Sequence, residues 1–489
     1  MTFGPPPSLY TQSQQVAAQR RQKRRRIWGA ITLAVAVVVC AGSWLLWAQN
    51  TKESSSGEIA KRTTARQASD AIRETVEGPP KGGAGHLVAS VTTKELQPKQ
   101  GQATPGTWAT GKTLVKGRYD KLEAENISDD TDAWVKVLPG PICGTTPLVT
   151  VDGRTAVLFK DRHHGDVCNQ VALIDLDTGE KTWQATFPGR AKMGYTDTPT
   201  TVTMARGVVL VSWQGKGAAA YDMQSGEKLW MRRTAPDCAN WGFSGDRGIL
   251  VVDECTPSGS DSDRFRVQKL EPRSGRVKWT YKADEGIQWV SLISSDPPVL
   301  GVGAGEADVT DLISLDERGK YRTTIRLDGG HYKVNCDTFL VDRCSRVVVG
   351  DGQAFITSED DLVGAGHATN WVVGFDLATG KSRVKFDAGD DQLLHPIRMS
   401  GNKLLAYKSS YDNYAPQSLV SLDPASGKQR EYFYFAVSSE NIPLTYADNL
   451  SDVIVEDGRI FFGAHSVEGR GKKGDPSLVT TAFGIGRAG

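Results

Sequence analysis

One short pattern recurs six times between residues 172 and 431, and it constrains the fold more than anything else in the chain. A small or apolar run meets an acidic residue, and Thr/Ser-Gly follows at a near-fixed distance. Three copies add a Trp four residues past the Gly. They are Asp175, Gly179 and Trp183, then Asp222, Gly226 and Trp230, then Glu271, Gly275 and Trp279. Weaker copies stand at Asp316 with Gly319, Asp376 with Gly380, and Asp423 with Gly427. The acidic residues are 47, 49, 45, 60 and 47 residues apart. A period of that length marks a supersecondary unit that cannot bury its apolar face alone and stacks on copies of itself.

The unit reads as strands. Val149–Val151 and Ala156–Phe159 flank Asp152-Gly153, and Val347–Val349 and Ala354–Ile356 flank Gly350-Asp351-Gly352. Short β-rich runs punctuated by Asp/Gly turns argue for an all-β repeat fold. Within the pattern, the acidic residue and the Gly form a tight turn between the third and fourth strands, with Gly supplying positive φ. Four strands in about 45 residues is one propeller blade. The Trp is expected to end the fourth strand and pack between neighbouring blades. It is absent at Thr323, Val384 and Glu431, so those junctions need another filling.

Ala-x-Asp-x-x-Thr-Gly-x-x-x-Trp resembles the blade signature of the pyrroloquinoline-quinone-like (PQQ-like) β-propellers. That superfamily includes quinoprotein alcohol dehydrogenases and the non-enzymatic propeller of the bacterial outer-membrane assembly machinery. The resemblance covers roughly residues 106–486 and implies that residues 106–489 form a propeller of four-stranded blades. Eight blades result if the degenerate unit ending in Trp134 and the strands after residue 450 are separate. Seven result if they merge. A strand near Thr107–Thr110 is expected to close the ring.

Residues 27–48 contain no charged residue, and at 1.5 Å rise they span a hydrocarbon core of about 30 Å. Six basic residues between Arg20 and Arg26 precede them, and no acidic residue occurs in the first fifty. The positive-inside rule makes residues 1–26 a cytoplasmic tail, 27–48 a single-pass transmembrane helix in the lipid bilayer, and the remainder extracytoplasmic. A cleaved signal peptide fits less well, because its apolar core runs only about 7–15 residues. Val37-Val38-Val39-Cys40 is also a poor lipobox. Residues 49–105 are polar and carry Ser54–Ser56, Pro79-Pro80 and Gly82-Gly83, as a flexible tether would. Residues 58–77 are compatible with a short helix.

Six cysteines remain beyond Cys40, an even count suited to an oxidising compartment. Of fifteen possible connectivities, the repeat favours sequential pairs within blades, Cys143–Cys168, Cys238–Cys255 and Cys336–Cys344. Without the six basic tail residues, 52 basic face 57 acidic residues, which argues against nucleic-acid binding.

Signals for catalysis are thin. Asp161, His163, His164, Asp166 and Cys168 form the densest group of metal-ligand types, and a polar blade loop accounts for them. Asp261, Asp263, Asp311, Asp390 and Asp391 lack the alternation of a calcium loop. Gly364-Ala365-Gly366 lacks the strand-and-helix context of a nucleotide fingerprint. Trp241, Trp289, Trp371, Tyr411 and Tyr414 fall outside the signature and are open to ligand-facing or core roles. The quinoprotein resemblance implies a central cofactor with calcium, a stacking Trp, a catalytic Asp and a disulfide between adjacent cysteines. No adjacent cysteines exist here. The expectation is therefore no catalytic residue, no metal and no cofactor. The reading is a non-catalytic scaffold at the bacterial cell surface that binds an envelope protein or another ligand. The alternatives are a PQQ-dependent oxidoreductase, and an extracellular sensor or module binding cell-wall polymer.

Overall fold

The computed structural model describes residues 68–487, except 162–166, 190–199, 214, 257–263, 306–307, 328–330, 338, 360, 363–367, 412–414, 446–450 and 471–476. The expected transmembrane segment 27–48, and His163, His164, Asp166, Asp261, Asp263, Gly364–Gly366 and Tyr414, lie outside the described residues. Among those that are described, no helix is long and apolar enough to cross a membrane.

Eight antiparallel sheets form the propeller, seven of four strands and the sixth blade with a short fifth strand, Tyr332–Lys333. Blade 2 is typical, with Ile142–Thr145 innermost, then Arg154–Asp161, Val167–Asp175 and Lys181–Thr186. The sequence grades from centre to rim for a physical reason. Middle strands pack on both faces, so Val208–Trp213 and Gly217–Asp222 are almost continuously buried and apolar. Rim strands face solvent on one side, so Lys181–Thr186 and Val277–Lys282 alternate. First strands of adjacent blades touch one another around a central channel.

Ring closure differs from the sequence expectation. Thr107–Ala109 is the innermost strand of blade 1, ahead of Thr113–Arg118, Lys121–Asn126 and Thr131–Val137. Closure comes instead from His86–Thr92, which pairs antiparallel with Thr480–Gly486 as the rim strand of blade 8. Blade 1 has four strands of its own and blade 8 takes its fourth from His86–Thr92, which is why the count is eight and not seven.

The propeller therefore begins well before residue 106, and the expected tether 49–105 is corrected for its second half. Residues 68–80 lie in non-helical conformation across one face of the disc as a strap. Arg73 N donates to Val149 O (2.8 Å) and Val151 N to Ala71 O (2.9 Å) in blade 2. In blade 7, Arg398 donates to the Thr75 carbonyl at 2.6 Å, and Tyr432 OH to the Gly78 carbonyl at 2.9 Å. Polar composition suggested a solvated segment, but these polar groups are held by blade residues far along the chain.

Candidate functional site

The two faces of the disc are built differently. The face under the strap carries the turns between first and second strands and between third and fourth strands. The opposite face carries the longer loops, and is called the loop face below.

Each signature turn is a self-contained hydrogen-bonded unit. Asp222 Oδ1 accepts from Gln224 N (3.0 Å) and Ser225 N (2.9 Å), and Gly226 N donates to Asp222 O (2.9 Å). Asp175, Glu271, Asp376 and Asp423 act in the same way. The bond from Ser225 N, with help from Arg273, holds the Asp222 carboxyl below its ordinary value. Ser274 does this for Glu271 and Thr379 for Asp376. Lys403 and Ser426 bring Asp423 to about 2.

Each signature Trp is the third residue of its rim strand, not the last, and its indole covers the turn Gly of the next blade. A Cβ at Gly226 would lie 2.6 Å from Trp183, and one at Gly275 would lie 2.7 Å from Trp230. Trp134 of the degenerate first unit covers Gly179 in the same way. The indole N–H completes the joint, from Trp134 to Leu176 O, Trp183 to Met223 O and Trp230 to Pro272 O. These Gly residues are doubly required, since φ at Gly226 is also +71°. Trp279 covers Gly319, but that turn is one residue shorter, and among the described residues the Trp279 indole N–H has no partner. Where Trp is missing, Thr323 lies over Gly380 and Val384 over Gly427. These residues hold blades together.

The loop face holds the cysteines, and all three expected pairs form. Cys143–Cys168 ties the innermost to the third strand of blade 2, and Cys238–Cys255 closes the open end of the first hairpin of blade 4. Beside the latter, Asp253 is buried and accepts from Arg232 (3.0 Å), Arg266 (2.8 Å) and Asn240 (3.1 Å). Nothing in the local sequence singles out this network, whose members come from four strands of blades 3 and 4. Phe339 and Tyr411 are exposed on this face. Of the other aromatics outside the signature, Trp289 is buried and Trp241 and Trp371 are half-buried. Trp241 and Trp289 meet edge-on at 6.0 Å, and Trp371 has Lys385 Nζ 3.8 Å over its ring and donates its indole N–H to Asp387.

Cys336–Cys344 staples a hairpin, Asn335–Cys336 with Cys344–Ser345, inserted between blades 5 and 6. This hairpin enters the central channel. Arg343 reaches across the ring to the Thr145 carbonyl of blade 2 (3.2 Å), and Leu292 N of blade 5 donates to Val341 O (2.7 Å). Val341 also packs on Gly242 of blade 4. Two cavities result, about 280 Å³ on the loop side and about 410 Å³ on the strap side. Pro147, Asp342, Val347 and Ile397 line both.

In the loop-side cavity the Asp452 carboxylate is matched by a basic neighbour. His465 bonds Asp452 at 2.9 Å, and Lys116 Nζ donates to Gly106 O and Thr107 Oγ1. Burial alone would raise the Asp452 carboxyl, but His465, Lys116 and Thr107 outweigh it and hold it below its ordinary value. Burial lowers the Lys116 ammonium to about 8. The disulfide-stapled hairpin takes up the axial space, its cysteines are eight residues apart, and among the described residues no group of three His, Cys, Asp or Glu could hold a metal ion.

An eight-bladed disc whose blades interlock through Asp-x-x-Thr/Ser-Gly turns and Trp caps defines the class of PQQ-like propellers. The chain belongs to the family described as outer membrane protein assembly factor BamB, whose model matches residues 13–238, 169–370 and 263–469. No curated protein sequence matches the chain. Among solved structures, BamB from Moraxella catarrhalis is 11% identical with TM-score 0.42, covering 82% of this chain and 97% of that one. The computationally designed Ika8 protein is 13% identical with TM-score 0.47, covering 81% and 99%. Quinohemoprotein alcohol dehydrogenase from Comamonas testosteroni is 12% identical with TM-score 0.43, covering 81% and 77%.

Proposed function

We propose that this chain is a membrane-tethered, extracytoplasmic and non-catalytic propeller whose loop face docks an envelope protein. The observation that carries this reading is the division of the disc. The strap covers one end of the channel, a stapled hairpin fills its axis, and the loop face is held in shape by three disulfides. A rigid disc with exposed Phe339 and Tyr411 suits recognition of a protein surface, where aromatic anchors contribute most. Membership of a family named for outer membrane protein assembly supports an envelope partner. The uncharged segment 27–48 with its basic flank supports the tether, with residues 1–26 cytoplasmic. Disulfides support an oxidising location outside the cytoplasm.

Cross-linking of tagged protein in intact cells, read by mass spectrometry, tests the proposal. The expected result is one envelope protein in near-equal amount, lost in a Phe339→Asp, Tyr411→Asp double variant. Absence of any protein partner, or capture of cell-wall polymer alone, overturns it.

A further inference from the structure

Matching the charges around the strap-side cavity leaves two carboxylates over. Arg73 is paired with Glu456 (3.1 Å), Arg247 with Glu74 (2.6 Å), Arg398 with Glu77 (2.7 Å) and Lys269 with Asp296 (3.4 Å). Asp246 and Asp342 also line this cavity, and among the described residues neither carboxylate has an ion pair or a side-chain donor. The nearest cations are already engaged, Arg247 by Glu74 and Arg343 by the Thr145 carbonyl and hydroxyl. Asp246 stands at the first turn of blade 4, fixed by its N–H to the Met204 carbonyl (2.7 Å). Asp342 stands on the stapled hairpin where the two cavities meet.

We propose that the strap-side cavity binds a small organic cation, an aliphatic ammonium or guanidinium, between Asp246 and Asp342. Its 410 Å³ lies within the roughly 300–1,000 Å³ of small-molecule sites. Ile72, Val76, Leu148, Ile293, Val348 and Met399 offer apolar wall for a methylene chain. The strap, Ile72 to Val76, forms one side of the cavity and limits the occupant to something small. A bare metal ion fits poorly, since the described residues bring no third ligand to either carboxylate. Burial pushes both carboxyls up to about 6, so an unliganded site carries an unfavourable pair of charges that a cation would relieve. Glu74 and Asp296 face Asp246 and add to the strain, which Arg247 only partly offsets. Asp337 and Arg343 act likewise on Asp342.

The inference stands apart from the scaffold reading, because either can fail while the other holds. The test is titration calorimetry of the full chain in detergent with 1,4-diaminobutane at pH 7.5. Saturable binding is expected, at least tenfold weaker in both Asp246→Asn and Asp342→Asn, with no saturation by succinate or calcium. The cation holds the carboxyls in their charged form, so affinity should fall about tenfold or more as the pH is lowered from 7.5 to 5. That pH series on the unaltered protein serves where a variant does not fold. No saturation, equal affinity in both variants, a flat pH profile, or displacement of the diamine by calcium overturns the proposal.

Discussion

The strap face and the loop face of the same disc solve opposite problems. On the strap face the acidic residue and the turn glycine repeat from blade to blade, and at four junctions one indole packs on one glycine. On the loop face little repeats, and covalent staples hold what packing does not. The repeated joint is a solution for holding blades together, and a binding surface is free to vary only where the joint is absent. Loops carry function because a rigid scaffold elsewhere has already fixed their ends.

The contrast breaks most visibly at the joint. Trp183→Ala removes a buried indole from the blade 2–blade 3 junction, and a loss of about 3–5 kcal/mol is expected from chemical denaturation. A loss below about 1 kcal/mol would mean the joint is ornamental. On the other face, replacing Cys336 and Cys344 by Ser opens a short loop, and the chain-entropy argument gives about 2.5 kcal/mol. Cleavage near residues 336–344 in limited proteolysis should rise, while the signature junctions stay protected. The smallest effect sharpens the joint itself. Trp183→Phe should cost about 1 kcal/mol, because it strands the Met223 carbonyl. Trp279→Phe should cost less or stabilise, because that indole N–H has no partner to lose. Equal costs at both positions would show that the hydrogen bond contributes nothing.

What the sequence reveals follows the range of the interactions. Asp175, Asp222, Glu271, Asp376 and Asp423 each bond to backbone within a few residues, so turn, period and blade type are written locally. The slip at Asp316 is also visible, and its consequence is the orphaned Trp279 N–H, which only the next blade's carbonyl could have answered. The cysteine pairs are legible because each closes within one unit, yet nothing near Cys336 or Cys344 says that their hairpin enters the channel. The strap was hidden for the opposite reason. Glu74 finds Arg247 and Glu77 finds Arg398, partners 173 and 321 residues away, and a polar segment with distant partners looks like a solvated one. Asp246 and Asp342 are ordinary turn residues until the ring brings them to one cavity.

Closure by His86–Thr92 also imposes a timetable. This strand is made first, and its partner Thr480–Gly486 is made last. At the usual 5–20 residues per second, roughly 20–80 s of synthesis separate the two. Throughout that interval the nascent ring keeps an open strand edge at each end, the geometry most prone to pair with a neighbouring chain. A chain stopped short of residue 480 lacks the partner of His86–Thr92, so that one strand decides whether the product is a disc or a sticky fragment.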